Sequence, residues 1–367
     1  MSENELNICK PERWGIFSGT ERPFLIAGPC SAESEEQVFK TAKALKENGI
    51  GVFRAGIWKP RTRPDCFEGA GSEGFAWLRR VQQELGMKTA TEVANAKHVH
   101  EALKAGVDLL WIGARTTANP FAVQELADAL AGTDIPVLVK NPVNPDVDLW
   151  LGAVERLQRA GLTKVGIVHR GFSVYRHSKY RNAPQWQLPI EVRRRYRELP
   201  LICDPSHIAG NRAYLQEISQ QALDLGFDGL MLESHICPEI ALSDAQQQVT
   251  PAALKKLIDN LVVRAFDSTD VSYNENIDEL RNRIDQLDDE LLNILSQRMR
   301  MAVEIGRYKK QKNITILQAG RWEQILEKVF RAGEQKGLEK ELLEKVFCAI
   351  HEASINKQTE VMNELKN

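Results

Sequence analysis

Between residues 22 and 264, eight short apolar or β-branched runs alternate with longer amphipathic stretches, and this alternation restricts the fold more than any other feature. The runs fall at 24–27, 51–53, 88–91, 109–112, 137–139, 165–168, 199–203 and 229–232. Segments with helical spacing lie between them, among them 36–48, 96–105, 120–130 and 213–225. Hairpin signals are missing, so the strands read as parallel, with helical crossovers. Eight such units over ~245 residues favour a closed (β/α)8 barrel over an open doubly wound sheet.

The texture changes after Arg264. Residues 265–275 are polar and aperiodic and read as a linker. From Asn276 onward proline is absent, and Ile277, Leu280, Ile284, Leu287, Leu291 and Ile294 recur three and four residues apart. That stripe predicts a helix of roughly 35 residues, followed by shorter helices near 320–335 and 339–365. So few helices enclose little core alone, so an interlocked homodimer of this region is expected. The domain reading is a barrel at 1–264, a linker at 265–275 and an all-α domain at 276–367.

Composition narrows the function. The 367 residues carry 48 Lys and Arg against 50 Asp and Glu, a net charge of -2, which argues against a general nucleic-acid or membrane-surface binder. No apolar run approaches the ~18 residues of a membrane span, and residues 1–14 contain no signal-peptide core. The six cysteines lie at least 21 residues apart, so neither a CxxC motif nor a disulfide framework is suggested. The reading is a reduced, cytoplasmic protein.

In a (β/α)8 barrel the chemistry lies at the C-terminal ends of the strands. One step past each run stand Cys30, Arg54 with Lys59, Glu92, Arg115, Lys140, Arg170, Asp204 with His207, and Glu233. Singly, each has an ordinary explanation: a small core cysteine, a solvated loop charge. Together they aim Arg54, Lys59, Arg115, Lys140 and Arg170 at one mouth, which calls for a substrate, or two, rich in phosphate and carboxylate. Cys30, His207, Glu233 and Asp244 follow strands 1, 7 and 8, which are neighbours only if the barrel closes. One sulfur, one nitrogen and two oxygen ligands suit Mn, Fe, Co or Zn without choosing among them. Such a divalent ion would polarise a carbonyl.

Two motifs are decoys. Residues 69–74 match GxGxxG but follow no strand, so they read as a flexible loop near the mouth rather than a dinucleotide site. Asn313-Ile314-Thr315 is a glycosylation sequon by chance.

Gly28-Pro29-Cys30-Ser31, Lys59-Pro60-Arg61-Thr62, Gly113-Ala114-Arg115-Thr116, Lys140-Asn141, Asp204-Pro205-Ser206-His207 and Ala241-Leu242-Ser243-Asp244 resemble, in order, the 3-deoxy-D-arabino-heptulosonate 7-phosphate (DAHP) synthase family, in its short subclass. The resemblance implies condensation of phosphoenolpyruvate with erythrose 4-phosphate. It places Arg54, Lys59, Arg115, Lys140 and Arg170 on phosphoenolpyruvate, Arg61 and Thr62 on the phosphate of erythrose 4-phosphate, and the metal on Cys30, His207, Glu233 and Asp244. Lys59 is the candidate proton donor, with its cationic neighbours expected to depress its pKa. The sibling family that uses arabinose 5-phosphate reads Lys-Ala-Asn-Arg where this chain has Lys59-Pro60-Arg61-Thr62, which favours the four-carbon sugar.

The helical region breaks its own apolar pattern at Arg298, and Ser354 and Gln358 interrupt the last helix. One reading is a buried polar network that fixes dimer register; the other is an anionic ligand held by Arg298, Lys309 and Arg321. Arg281, Arg298, Lys309, Arg321, Ser354 and Gln358 resemble the all-helical chorismate mutase family without gaps. That family rearranges chorismate to prephenate with no nucleophile or general base. The resemblance gives the ether oxygen to Lys309 and Gln358, and the carboxylates to Arg281 (from the second subunit), Arg298 and Arg321. Where many members carry an acidic pair facing the substrate hydroxyl, this chain has Gln318 and Trp322. Two functions are therefore open: a bifunctional enzyme inhibited by prephenate, or a synthase whose helical domain only senses and dimerises.

Overall fold

The computed structural model describes residues 7–17, 22–59, 66–175 and 178–364. The chain divides into two units, Met1–Phe266 and Asp267–Asn367. In the first, the eight parallel strands close in chain order: β1 (Phe24–Gly28), β2 (Val52–Arg54), β3 (Lys88–Val93), β4 (Leu109–Ile112), β5 (Val137–Lys140), β6 (Val165–His169), β7 (Leu201–Cys203) and β8 (Gly229–Glu233). Ala27 of β1 is in register with Phe53 of β2 on one side and Leu232 of β8 on the other.

A parallel strand in a barrel is buried on both faces, which is why the runs are continuously apolar. Ile26, Val52, Leu109, Trp111, Leu138, Val168, Ile202 and Met231 fill the inside of the ring, together with Trp14 and Ile16 from the N-terminal segment. Trp14 is fixed by its Nε1, which donates to Cys9 O at 2.7 Å. A larger core lies between the strands and the surrounding helices. Those helices start where a side chain can satisfy free backbone N–H groups, at Ser34, Asn95, Asn119, Asp146, Asp204 and Thr250. Each such cap contributes about 1 kcal/mol.

The strands run slightly further than the apolar runs, so Arg54, Lys140 and Glu233 are the last residues of strands rather than the first of loops. The glycine-rich stretch at 69–74 is not a flexible loop either. A 3-10 turn, Gly71–Glu73, leads directly into the helix Gly74–Leu85.

Among the described residues the second unit has three helices, Val271–Gln311, Ala319–Glu334 and Lys340–Asn363. The first begins inside the stretch read as a linker, because Asp270 caps it by accepting from Tyr273 N at 3.2 Å. Its 41 residues span about 60 Å. Its C-terminal half packs closely on the last helix: a Cβ at Gly306 would lie 3.2 Å from Gln358 Cα, so a larger residue there would need the last helix to give by a few tenths of an ångström. Along its N-terminal half, Leu280, Ile284, Leu287, Leu291 and Ile294 are each more than half exposed. Among the described residues no helix is long and apolar enough to cross a membrane.

Candidate active sites

Three of the four expected metal ligands meet at the barrel mouth. One ligand atom each from Cys30, Glu233 and Asp244 lies within 4.8 Å of the others. Cys30 Sγ is 3.4 Å from Asp244 Oδ2. His207 stands at the edge of the group, with Nε2 3.8 Å from Glu233 Oε1 and Nδ1 2.8 Å from Asp204 Oδ2. Asp204 is thus an ion-pair neighbour of the imidazole, although Nδ1 has no partner at hydrogen-bond geometry. Asp204 can reach because it caps the helix Pro205–Ala209, accepting from His207 N at 3.0 Å.

The donor set fits a divalent cation. Burial, and then the charges of Glu233 and Asp244, push the Cys30 thiol up to about 12. Burial would also raise the Asp244 carboxyl, but His207 and Arg181 hold it below its usual range. A thiol and two carboxylates crowded this closely repel one another as anions, and a bound cation reverses that sign. The thiol would then ligate as thiolate.

Cations surround this centre but are not bare, contrary to the sequence expectation. Arg54, 1% exposed, lies 3.1 Å from Glu233 through Nη2, and its guanidinium sits 4.8 Å above the Trp111 ring. Its Nε and Nη1 are buried with no protein partner, two donors available to an anion. Lys140 Nζ donates to Asp204 Oδ2 at 2.6 Å. Burial lowers the Lys140 pKa against the attraction of Asp204. Arg170 donates to Asn182 Oδ1 at 2.7 Å, and burial, helped by Arg181 and Arg115, brings its pKa down to about 10. Arg115 lies exposed on the short helix Ala114–Thr117 that follows β4. Glu92 is held by Trp111 Nε1 at 3.1 Å.

Lys59 donates to Cys30 O at 3.0 Å and lies 3.1 Å from Cys30 Sγ. Its pKa is raised rather than depressed. Burial pulls it down, but Cys30, Glu92 and Glu233 outweigh both burial and Arg54. The strand ends interleave acids with bases, and the acids are the nearer neighbours. Arg61 and Thr62 lie outside the described residues.

Sequence reasoning missed the groups that hold these ligands. Gln247 Nε2 donates to Glu233 Oε2 at 2.6 Å, and Arg181 donates to Asp244 Oδ1 at 2.8 Å. Gln248 joins the β1 and β8 loops, accepting from Cys30 N at 3.0 Å and donating to Ser243 O at 2.8 Å. The only sequence signal was three successive glutamines at 246–248, two of which are buried.

In the second unit a cavity of about 420 Å³ gathers Arg298, Lys309, Gln318, Arg321, Ser354 and Gln358. Arg298 donates to Ser354 Oγ at 2.6 Å, and Ser354 in turn donates to Ile350 O at 2.8 Å. Lys309 donates to Ile316 O at 2.5 Å. Gln358 Oε1 is buried without a partner, an acceptor held ready at the cavity wall. Trp322 and His351 line the same cavity, and no carboxylate does so among the described residues. Arg281 is elsewhere: it is exposed on the unpacked half of the long helix, 3.3 Å from Asp278.

Comparison with known proteins matches one family model to each unit. The family model "DAHP synthetase I family" matches residues 3–264, and "Chorismate mutase type II" matches residues 280–359. A phospho-2-dehydro-3-deoxyheptonate aldolase of Thermotoga maritima is 32% identical over 237 residues, 65% of this chain and 68% of the relative. A 2-dehydro-3-deoxyphosphooctonate aldolase of Desulfotalea psychrophila is 30% identical over 281 residues, 70% of this chain and 96% of the relative. The crystal structure of the Thermotoga maritima DAHP synthase superposes with a TM-score of 0.59 at 31% identity, covering 64% of this chain and 67% of that one. With a ring of strands that brings Cys30, Glu233 and Asp244 together and a helical cavity built around Arg298 and Lys309, the chain belongs to the DAHP synthetase I family and carries a type II chorismate mutase domain after its barrel in sequence.

Proposed function

We propose that the barrel condenses phosphoenolpyruvate with erythrose 4-phosphate, and that the helical unit converts chorismate to prephenate. The observation that carries the reading is the pairing of two separate cationic sites, one ringed by metal-ligand side chains and one without any carboxylate among the described residues.

In the barrel, Arg54, Arg115, Lys140 and Arg170 bind the phosphate and carboxylate of phosphoenolpyruvate. Arg61 and Thr62 bind the phosphate of the aldose. A divalent ion (Mn, Fe, Co or Zn) held by Cys30, His207, Glu233 and Asp244 would act as a Lewis acid toward the aldehyde oxygen. Carbon 3 of phosphoenolpyruvate forms the new bond to the aldehyde carbon, water adds at carbon 2, and inorganic phosphate leaves with cleavage of its C–O bond. Lys59, kept protonated by its acidic neighbours, gives its proton to the former aldehyde oxygen.

Because the relatives include synthases named for the eight-carbon product, the choice of aldose rests on Lys59-Pro60-Arg61-Thr62. Steady-state rates with erythrose 4-phosphate and arabinose 5-phosphate test it; turnover of arabinose 5-phosphate alone would overturn it.

In the helical unit, Arg298 and Arg321 hold the chorismate carboxylates, Ser354 and Gln318 hydrogen-bond the substrate, and Lys309 with Gln358 stabilises charge on the breaking ether oxygen. Arg281 completes the site from a second copy. The exposed stripe from Leu280 to Ile294 supports that dimer, because an isolated helix does not keep five large apolar side chains in water without a partner. A domain that binds the downstream product also suits control of the barrel: prephenate in the helical cavity inhibits condensation. Unchanged condensation rates at saturating prephenate would remove this idea, and linkage requires barrel substrates to weaken prephenate binding equally. All six cysteines are free, which supports the reducing cytoplasm as the site of action.

The experiment that tests the second activity is loss of chorismate ultraviolet absorbance with metal chelated. Turnover supports the bifunctional reading; its absence leaves a synthase with a helical sensor.

A further inference from the structure

In the connection between β6 and β7, Arg181-Asn182 is docked on the helix that carries His207. Arg181 N donates to Ala209 O at 3.2 Å and Asn182 N to Ile208 O at 3.1 Å. Gly210, at φ +65°, leaves room for this approach, since a Cβ there would lie 2.4 Å from Arg181 Cβ.

From that seat the two side chains reach opposite halves of the site. Asn182 Nδ2 donates to His207 O at 2.6 Å, while its Oδ1 accepts from Arg170 Nη1 at 2.7 Å. The orientation is fixed by chemistry: a carbonyl only accepts and a guanidinium only donates. Arg181 Nη1 donates to Asp244 Oδ1 at 2.8 Å and to Gln247 Oε1 at 3.0 Å. Gln247 then donates to Glu233 Oε2 at 2.6 Å, so one guanidinium governs both carboxylates of the metal group. Asp244 itself sits at φ +46°, a left-handed conformation that costs a non-glycine residue energy and persists only when its surroundings hold it.

We propose that Arg181 and Asn182 are positioning residues. Arg181 sets Asp244 and Glu233, and Asn182 ties the His207 helix to the anion-binding Arg170, so that metal ligands and phosphate ligands form one frame. This rests on the reading of the barrel as a metal-dependent synthase.

The sign of one measurement separates positioning from mere charge. A guanidinium acting only as a positive neighbour repels a divalent cation, so its removal would tighten metal binding. A guanidinium that holds the ligands in place weakens binding when removed, on the order of 10- to 100-fold for outer contacts of this kind.

The test uses the full chain, stripped by chelator and titrated with cobalt(II). Binding is followed by calorimetry and by the thiolate-to-cobalt absorption that Cys30 supplies. Arg181→Gln is expected to bind cobalt ~10–100-fold more weakly than the parent, with Arg181→Lys recovering part of the loss. Asn182→Leu is expected to raise KM for phosphoenolpyruvate about 10-fold at saturating cobalt, through the freed Arg170. Far-ultraviolet circular dichroism of the metal-free proteins reports whether each is folded, and Arg181→Lys serves where Arg181→Gln is not. Cobalt bound as tightly or more tightly by a folded Arg181 variant overturns the role of Arg181. An unchanged KM in Asn182→Leu overturns that of Asn182. A parent that binds no cobalt would overturn the metal reading and this inference with it, an outcome distinct from parent and variant binding alike.

Discussion

Trp322 and His351 stack inside the helical cavity, their ring centroids 4.0 Å apart and their planes 16° from parallel. Trp322 is one of the two positions, with Gln318, at which the chorismate mutase resemblance led one to expect an acidic contact with the substrate hydroxyl, and both line the cavity. Burial and the nearby Arg298 lower the His351 pKa, so its imidazole is neutral at physiological pH and presents a nitrogen acceptor. Removing the stack with His351→Ala is expected to cost about 1 kcal/mol, roughly a fivefold rise in KM for chorismate. His351→Phe keeps the stack and loses the nitrogen, so comparing the two by absorbance assays separates packing from hydrogen bonding.

Arg298 organises Ser354 and supplies charge to the cavity. Arg298→Ala should therefore lower mutase kcat/KM by at least ~100-fold, the scale for removing one preorganised electrostatic group. Condensation rates of the same preparation should stay within a factor of two when prephenate is absent. Mutase activity surviving in Arg298→Ala would show that the cavity is not the place of reaction.

Chelation divides the two activities. Dipicolinate or EDTA in excess should abolish condensation and leave chorismate turnover untouched, because the only close group of metal-ligand side chains among the described residues is Cys30, Glu233 and Asp244. Cys30→Ala should reproduce the effect of chelation without added chelator.

The barrel should lose stability in mild acid through His169. Its imidazole is buried among Trp150, Phe172, Trp186 and Phe227, and burial, reinforced by Arg170, lowers its pKa to about 3 from an ordinary 6.5. Between those values the unfolded chain binds a proton that the folded chain refuses. The contribution is thus fully present above pH 6.5 and is lost as pH falls toward 3, at up to about 1.4 kcal/mol per pH unit. Thermal melts of the parent and His169→Phe across this window should show the parent losing more stability than the variant as pH falls, since phenylalanine has nothing to protonate.

A charge placed on the exposed stripe should abolish the dimer proposed above. Leu287→Glu is expected to give monomers in sedimentation velocity at micromolar concentration and to remove mutase activity, because Arg281 could no longer reach a neighbouring cavity. An active monomer would contradict the shared site.

The strands were legible because a two-sided burial demands unbroken apolar runs, and the ring then followed from their number. Cys30 and Glu233 stand out in the sequence by their place at strand ends and Asp244 by its place in the loop after the eighth, and the structure brings the three together. Arg181, Asn182 and Gln247 do not stand out, because residues in an aperiodic connection show what they hold only after the loop has been traced. The Lys59 shift was misjudged for a similar reason. Counting charges along the chain put it among cations, whereas three dimensions put Cys30, Glu92 and Glu233 nearer. Helix geometry explains the early start at Val271, where one aspartate cap sufficed.

The pairing of β1 with β8 also has a bearing on how the chain is made. The ring cannot seal until Glu233 has left the ribosome, and every strand precedes the first residue of the long helix. An N-terminal domain generally folds during synthesis, ahead of the domains translated after it. The barrel therefore has its full complement of strands while the helical unit is still being translated. The apolar stripe from Leu280 to Ile294 emerges late, and the nascent chain exposes its stickiest surface for the shortest time.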